Sequence, residues 1–366
     1  MIDPEAGSNK PKNNVEQINE WVNFDERVRE YDPLEADEFF KTRFRELNES
    51  RNMEELLQEA ISLSKRTDAF LASPHTREQL FAVHRDFCFL TTALGVRGVD
   101  IEAHPEIRDT ARRLIELTGE SPRDSVYTYI FRNPPGERLR TFSSSEHERA
   151  LLRGFQIGMD SLFLAIESAE QLSRTPENSA EYVSLCEKIV TGLGGMVEGM
   201  REARNIPPDV FMNSIRPYSD PIKFEGKEYF GPGGAQVPIY LVDLLLWSSD
   251  SNQEWYNSHI THSAANGPRV YREFAAQLLG KPSALSKLLQ HGHGGENASA
   301  QSLRKCLLFL RKFRLTHFKV AKSTFAIRGE DAIGSSGSAV TILEQINNAL
   351  EEAIARVPAP PTEVAE

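Results

Sequence analysis

The residue pattern of this 366-residue chain predicts an all-α fold, and three observations carry that reading. Apolar residues recur at helical spacing through most of the chain. Capping residues and Pro or Gly stops bracket those runs. Strand signals are thin and confined to two short stretches.

The elements follow in order. Residues 1–15 are polar and rich in Pro and Asn, and read as a disordered arm. Ser73 to Gln79 reads as a capped start, and Leu80, Phe81, Val83, His84, Phe87, Cys88, Leu90 and Leu94 then keep helical spacing. Ser125 to Phe131 alternates in a β-prone way but suits a helix equally. A long helix is expected over 144–173, with Ser144, Ser145 and Glu148 near its cap. A second spans 179–204 and stops at Asn205-Ile206-Pro207-Pro208. Ile222 to Phe230 reads as a small hairpin turned at Glu225-Gly226-Lys227. Further helices are expected over about 270–279, 298–325 and 340–355, and the Pro-rich tail from Val357 frays. Four regions result: an arm (1–15), a smaller helical region (16–140), a larger helical domain (141–356) and a tail (357–366).

Composition narrows the function classes. Hydrophobic content of 40% and charged content of 26% are ordinary for a globular chain able to bury a large core. A net charge of -11 argues against non-specific nucleic-acid binding and against an anionic membrane surface. Cys88, Cys186 and Cys306 are scattered and odd in number, so neither a disulfide framework nor a CxxC zinc pattern arises. The opening residues hold no apolar run of the signal type, and no apolar stretch is long enough to span a bilayer. A cytoplasmic setting is therefore expected. Trp247 with its apolar run is open between core and a homodimer interface. The HxH at His291 and His293 sits in a Gly-rich loop, where solvated histidines are the ordinary outcome.

Four segments carry candidate chemistry. His317 sits mid-helix among Leu, Phe and Val, ringed by Lys and Arg, and an imidazole so placed can ligate a heme iron. Its plainer reading is a satisfied core histidine. Arg314, Lys319 or Lys322 could meet propionates, against the plainer reading of solvated helix cations. Arg216 precedes Pro217, so it should project from a helix end, where a guanidinium clamps a carboxylate or forms a structural salt bridge. Gly231 to Gln236 is a Gly-rich turn entering an apolar helix, which permits close backbone approach to a flat ligand. It lacks the lysine of a P-loop and the spacing of a dinucleotide site. Gly334 to Ser338 is a small hydroxyl-rich loop that could cap a ligand, or simply link two helices.

The order of these four in an all-helical chain resembles the heme-dependent aromatic oxygenase superfamily, which includes the indoleamine and tryptophan 2,3-dioxygenases. Within it the monodechloroaminopyrrolnitrin synthase branch is the nearest likeness. The resemblance is densest in Val210–Trp247 and Leu310–Phe325. It implies a dioxygenase-like helical bundle with heme b between helices. By the same resemblance His317 is the proximal iron ligand and Arg216 binds the amino-acid carboxylate. Phe211 lies in the aromatic wall near the substrate, Gly234 and Ala235 lie beside the heme, and Phe325 belongs to the heme pocket. Ser335, Ser336, Gly337 and Ser338 form the capping loop. His84 falls in a segment similar to the distal-histidine helix of tryptophan 2,3-dioxygenase, with a packing histidine as the alternative. Some relatives attach heme through a Cys four residues after the proximal His. That position is Ala321 here, so non-covalent heme is expected.

The implied activity is oxidation of L-tryptophan or a tryptophan- or tyrosine-derived amino acid in specialised metabolism, with O2 or H2O2. Ring cleavage, hydroxylation and an aminopyrrole-forming rearrangement stay open. So do a non-catalytic heme or amino-acid binding protein and a cofactor-free helical scaffold.

Overall fold

The structure, a computed structural model, describes residues 14–232, 237–251, 253–265, 267–291, 297–325 and 341–359. Among them the fold is all-α, as the periodicity predicts, with one two-stranded ribbon. The chain opens with α1 (Asn14–Val28), α2 (Asp37–Lys41), α3 (Arg43–Ser50) and α4 (Met53–Leu71). α5 (Arg77–Gly95) and α6 (Pro105–Thr118) follow, then a π-helical turn at Tyr127–Phe131. The long pair α7 (Glu146–Leu172) and α8 (Ala180–Arg204) comes next. α9 (Pro208–Val210) runs into a π-turn (Phe211–Ile215) and a 3-10 turn (Arg216–Ser219). After β1 (Ile222–Phe224) and β2 (Lys227–Tyr229) stands α10 (Ile239–Asp243), which continues as a π-turn over Leu244–Ser248. α11 (Glu254–Ala265), α12 (Arg269–Leu278), α13 (Ala284–Gln290), α14 (Ala298–Phe325) and α15 (Thr341–Arg356) complete the fold.

Local chemistry sets several boundaries. Thr76 and Gln79 form a reciprocal capping box that starts α5. Ser145 caps α7 by accepting from the His147 amide. Glu148 takes no part in that cap: its buried carboxylate instead accepts from the Phe142 and Ser143 amides, the Ser143 hydroxyl and Tyr129. The hairpin forms where expected, Ile222 opposite Tyr229, with Glu225 and Gly226 both at positive φ in its two-residue turn. The β-prone run before Asn133 closes instead as the π-turn, with all five of its side chains buried.

α5 is buried on every side from Leu80 to Leu94, more completely than a one-faced helical pattern implies. Its polar members survive there through a charge network. Asp86 accepts from both Arg85 and Arg140, and Arg132 bridges Asp25 of α1 to Glu120. These ion pairs tie α1, α5 and the segment after α6 together.

α7 and α8 lie antiparallel and unusually close. A side chain at Gly154 would meet the Gly199 carbonyl at 2.5 Å, and one at Gly192 would meet the Ser161 carbonyl at 2.5 Å. Glycine at these points lets two backbones touch that any β-carbon would hold apart. α14 packs on α8 and α15, and buries Leu303, Cys306, Leu307, Leu310, Phe313 and Arg314. One hydrophobic cluster runs from Ile18 to Val357. The three cysteines are buried thiols.

Candidate functional site

Where α7 and α8 approach through glycine they leave an apolar cleft rather than a filled groove. Leu151, Gly154, Phe155, Met159, Met196 and Met200 line it, together with Gly158, Gly199, Val237 and Phe313. Its three glycines mark where the two helix backbones meet, and three flexible methionines can repack around a ligand.

α14 brings His317 to this cleft through Phe313, one turn earlier. Phe313 lines the cleft, and its ring stacks against the His317 imidazole with centroids 6.3 Å apart at 28°. His317 is half-buried. Desolvation, with the Arg314 guanidinium beside it, pushes its pKa down to about 4. The imidazole is therefore neutral at pH 7, the form that ligates a metal. His259 of α11 also faces Arg314 and is likewise pushed down to about 4.

The loop after α8 delivers Phe211 to the same place. Phe211 packs on Leu151, Ile206 and Ile215 together with Phe155, and Leu151 and Phe155 line the cleft. Arg216 follows Ile215 directly. Its buried guanidinium donates to Asp220 at 2.6 Å, so the salt bridge weighed for it is present. Val237, directly after the Gly-rich turn, reaches the cleft as well. Gly231, where that turn begins, packs tightly, since a side chain there would meet the Ser219 carbonyl at 2.5 Å.

Other expected residues lie elsewhere. His84 sits inside the fully buried α5, which packs on α1, α4 and α6. Its Nε2 lies 2.8 Å from the Ser121 carbonyl, and its Nδ1 faces Glu120 at 3.7 Å. Burial lowers its pKa. These contacts are those of a packing histidine. Lys319 and Lys322 point to solvent on the outer face of α14, and Arg314 is engaged by Asp243, so none of the three is presented to the cleft as a free cation for propionates. Trp247 is buried within the chain, stacked on Tyr256 at 5.3 Å, and donates to Asp243 at 2.9 Å. Gly234, Ala235, Ser335, Ser336, Gly337 and Ser338 lie outside the described residues, as does the side chain of Phe325.

Two features escaped sequence reasoning. One is the Gly and Met lining of the cleft, although Gly154 with Gly158 and Gly195 with Gly199 already show small residues one turn apart. The other is the buried Asp243–Arg314 pair behind His317. Nothing local marks that partnership, because 71 residues separate the two.

An all-α scaffold that sets a neutral imidazole beside an apolar cleft suits a helical cofactor-binding enzyme. Comparison with known families gives the particular one. The chain belongs to the family described as monodechloroaminopyrrolnitrin synthase PrnB, whose profile matches residues 112–323, more than half of its length. That family is one of heme-dependent enzymes in tryptophan-related antibiotic biosynthesis. His317, Arg216 and Phe211 fall within the matched residues, whereas His84 and the 334–338 loop fall outside. The residue chemistry suits such a group: the cleft has thioether and phenyl walls, and the neutral nitrogen donor His317 stands one turn beyond Phe313, next to the cleft rather than in its lining. No helix among the described residues is long and apolar enough to cross a membrane.

Proposed function

We propose that this protein is a heme b-dependent oxidoreductase. It oxidises L-tryptophan or a tryptophan- or tyrosine-derived amino acid in secondary-metabolite biosynthesis, using O2 or peroxide. The observation that carries this is the neutral His317 stacked on Phe313 beside the apolar cleft, in a chain of this family.

In this reading His317 is the proximal ligand and holds the cofactor without a covalent link, since Ala321 offers no thiol. The bound heme supplies the activation of O2 or peroxide. All else is positioning by the chain. The low pKa of His317 keeps its nitrogen unprotonated and available. Phe155 and Phe211 present aromatic faces to a substrate ring and exclude water. Arg216 releases Asp220 and takes the substrate carboxylate bidentately. The exchange of one carboxylate for another preserves the charge balance of a buried guanidinium. By the family likeness, Ser335, Ser336, Gly337 and Ser338 would serve the amino-acid end of the substrate, and Gly234, Ala235 and Phe325 the cofactor. Fixing both ends of the substrate aims the ring, and such positioning supplies several kcal/mol of barrier reduction. His84 is given no proton-transfer role, because Ser121 and Glu120 already flank its ring nitrogens.

A second reading is the aminopyrrole-forming rearrangement, favoured by the name of the matched family. Absorption spectra of the protein expressed with ample heme separate these readings from their rivals. A stoichiometric Soret band in the wild type that fails in His317→Ala supports the assignment. A band shift with L-tryptophan or L-tyrosine, weakened in Arg216→Lys, identifies the substrate class. Mass analysis of the product then distinguishes oxygen insertion from rearrangement. A well-folded wild type that takes up no heme sinks the proposal.

A further inference from the structure

We propose that the outer face of α14 is a docking surface for a small acidic electron-carrier protein. The inference rests on the heme reading of His317. In a chain of net charge -11, α14 carries seven Lys and Arg and not one Asp or Glu. At 3.6 residues per turn, Lys305, Leu308, Lys312, Leu315 and Lys319 share one face. His317 and Arg314 lie on the opposite side, toward the core.

The outer face is built like a binding patch. Lys305, Lys312, Lys319 and Lys322 are exposed, and among the described residues no carboxylate pairs with any of them. Phe309 lies under the Lys312 ammonium at 5.5 Å and Phe318 under that of Lys322 at 5.6 Å, which holds both heads on the face. Arg311 is shared with Glu351 of α15. At the centre Leu308 is 43% exposed, and it lines a shallow groove with Arg311, Lys312, Leu315, Thr316 and Lys319. An apolar centre with a cationic rim matches a protein partner of opposite charge. The patch is one helix face, the small size at which transient electron-transfer encounters occur.

Its position gives the partner a purpose. The patch and the imidazole stand on opposite sides of one helix, about 10 Å apart across its diameter. Were heme held by His317, a carrier docked there would lose one electron and be oxidised by one unit, and the heme iron would be reduced by that electron. No bond forms or breaks in the step.

The test uses the full chain and a reduced plant-type [2Fe–2S] ferredoxin as the probe. Wild type and Lys305→Glu/Lys312→Glu are compared by biosensor at ionic strengths of roughly 0.01 M and 0.15 M, where charge screening differs severalfold. The wild type should bind at low salt and weaken at high salt. The charge reversals should lower the association rate about tenfold or more. Heme reduction followed by stopped flow should slow in parallel, while Soret intensity, melting temperature and the amino-acid shift stay unchanged. Equal binding in the variant, salt-independent binding, tighter capture of a DNA duplex, or self-association through this face in sedimentation would each overturn the proposal. The binding arm needs no cofactor, so variant-sensitive binding by a chain that takes up no heme would sink the heme reading while leaving the docking surface standing.

Discussion

Asp243 of α10 forms a buried ion pair with Arg314, one helical turn before His317 on α14. Trp247 donates to the same carboxylate at 2.9 Å, and the Tyr256 hydroxyl lies 3.4 Å from the guanidinium. The pair thus anchors the helix that carries the candidate ligand. It also supplies a neutralised cation next to an imidazole that must stay unprotonated.

Breaking the pair from one side leaves a buried charge unpaired. Asp243→Ala should therefore cost about 3–5 kcal/mol. Asp243→Leu combined with Arg314→Met should recover most of that stability, because it removes both charges. Urea denaturation of the three proteins checks this. Heme occupancy should fall in the single variant more steeply than stability alone accounts for. A single variant as stable as the wild type would refute the anchoring role.

The pKa of about 4 at His317 fixes a pH dependence for ligation. A proton competes with the metal only when the imidazole can take one. With a histidine at its ordinary value near 6.5, heme affinity starts to fall below that pH, whereas with His317 it should stay nearly flat to about pH 5. Without heme the sign is the same for folding. The lowered pKa makes the unfolded chain the better proton acceptor, so stability is full above about 6.5 and declines as pH falls toward 4. Soret titration from pH 8 to 4 reads the first effect. A midpoint near 6.5 would contradict the lowered value.

Asp25 acts with the opposite sign. Burial is the largest influence on its carboxyl and raises the pKa to about 6, against the pull of Arg132. Its contribution to stability is therefore present below the ordinary value of 3.8 and is lost as pH rises to 6. Asp25→Asn imitates the protonated form and leaves Glu120 to pair with Arg132. Relative to wild type, the variant should gain stability between pH 4 and 6, by up to about 3 kcal/mol, and then level off. Denaturation midpoints across that range decide it, and a relative loss over the same interval would reverse the assignment.

The glycine seam separates two substitutions that look alike in sequence. Gly199→Ala sets a β-carbon 2.3 Å from the Gly154 carbonyl, so α7 and α8 must part, at a cost of about 1–3 kcal/mol. Gly194→Ala, five residues earlier in α8, meets nothing within 4 Å and should stabilise the helix by about 0.5–1 kcal/mol. Heme affinity should drop in the first and hold in the second, because Gly199 lines the cleft. Thermal melts with heme titration test both.

Helix limits were legible where side chains act on their own backbone. The capping box at Thr76, the Ser145 cap and the Glu225–Gly226 turn are each written within a few residues. The stretch Tyr127–Phe131 was ambiguous because its packing partners, Tyr271 and Phe163 among them, come from helices far along the chain. Arg216 was readable as the residue at a helix break, but only the fold supplied Asp220 as its present partner. His84 looked like a distal residue on local resemblance. Its surroundings from beyond α6, Glu120 and Ser121, are what make it a packing residue.

By itself the sequence determined what depends on short-range chemistry: an all-α chain, its helix ends, the hairpin at Ile222–Tyr229, and His317 among apolar residues in a basic helix. Tertiary structure alone decided what depends on distant partners. It set Asp243 against Arg314, brought Gly154 onto Gly199 at the α7–α8 seam, and paired Arg311 of α14 with Glu351 of α15. The physical reason is range. Periodicity and capping act over one or two turns, whereas desolvation, ion pairing and backbone contact depend on which helices the core brings together.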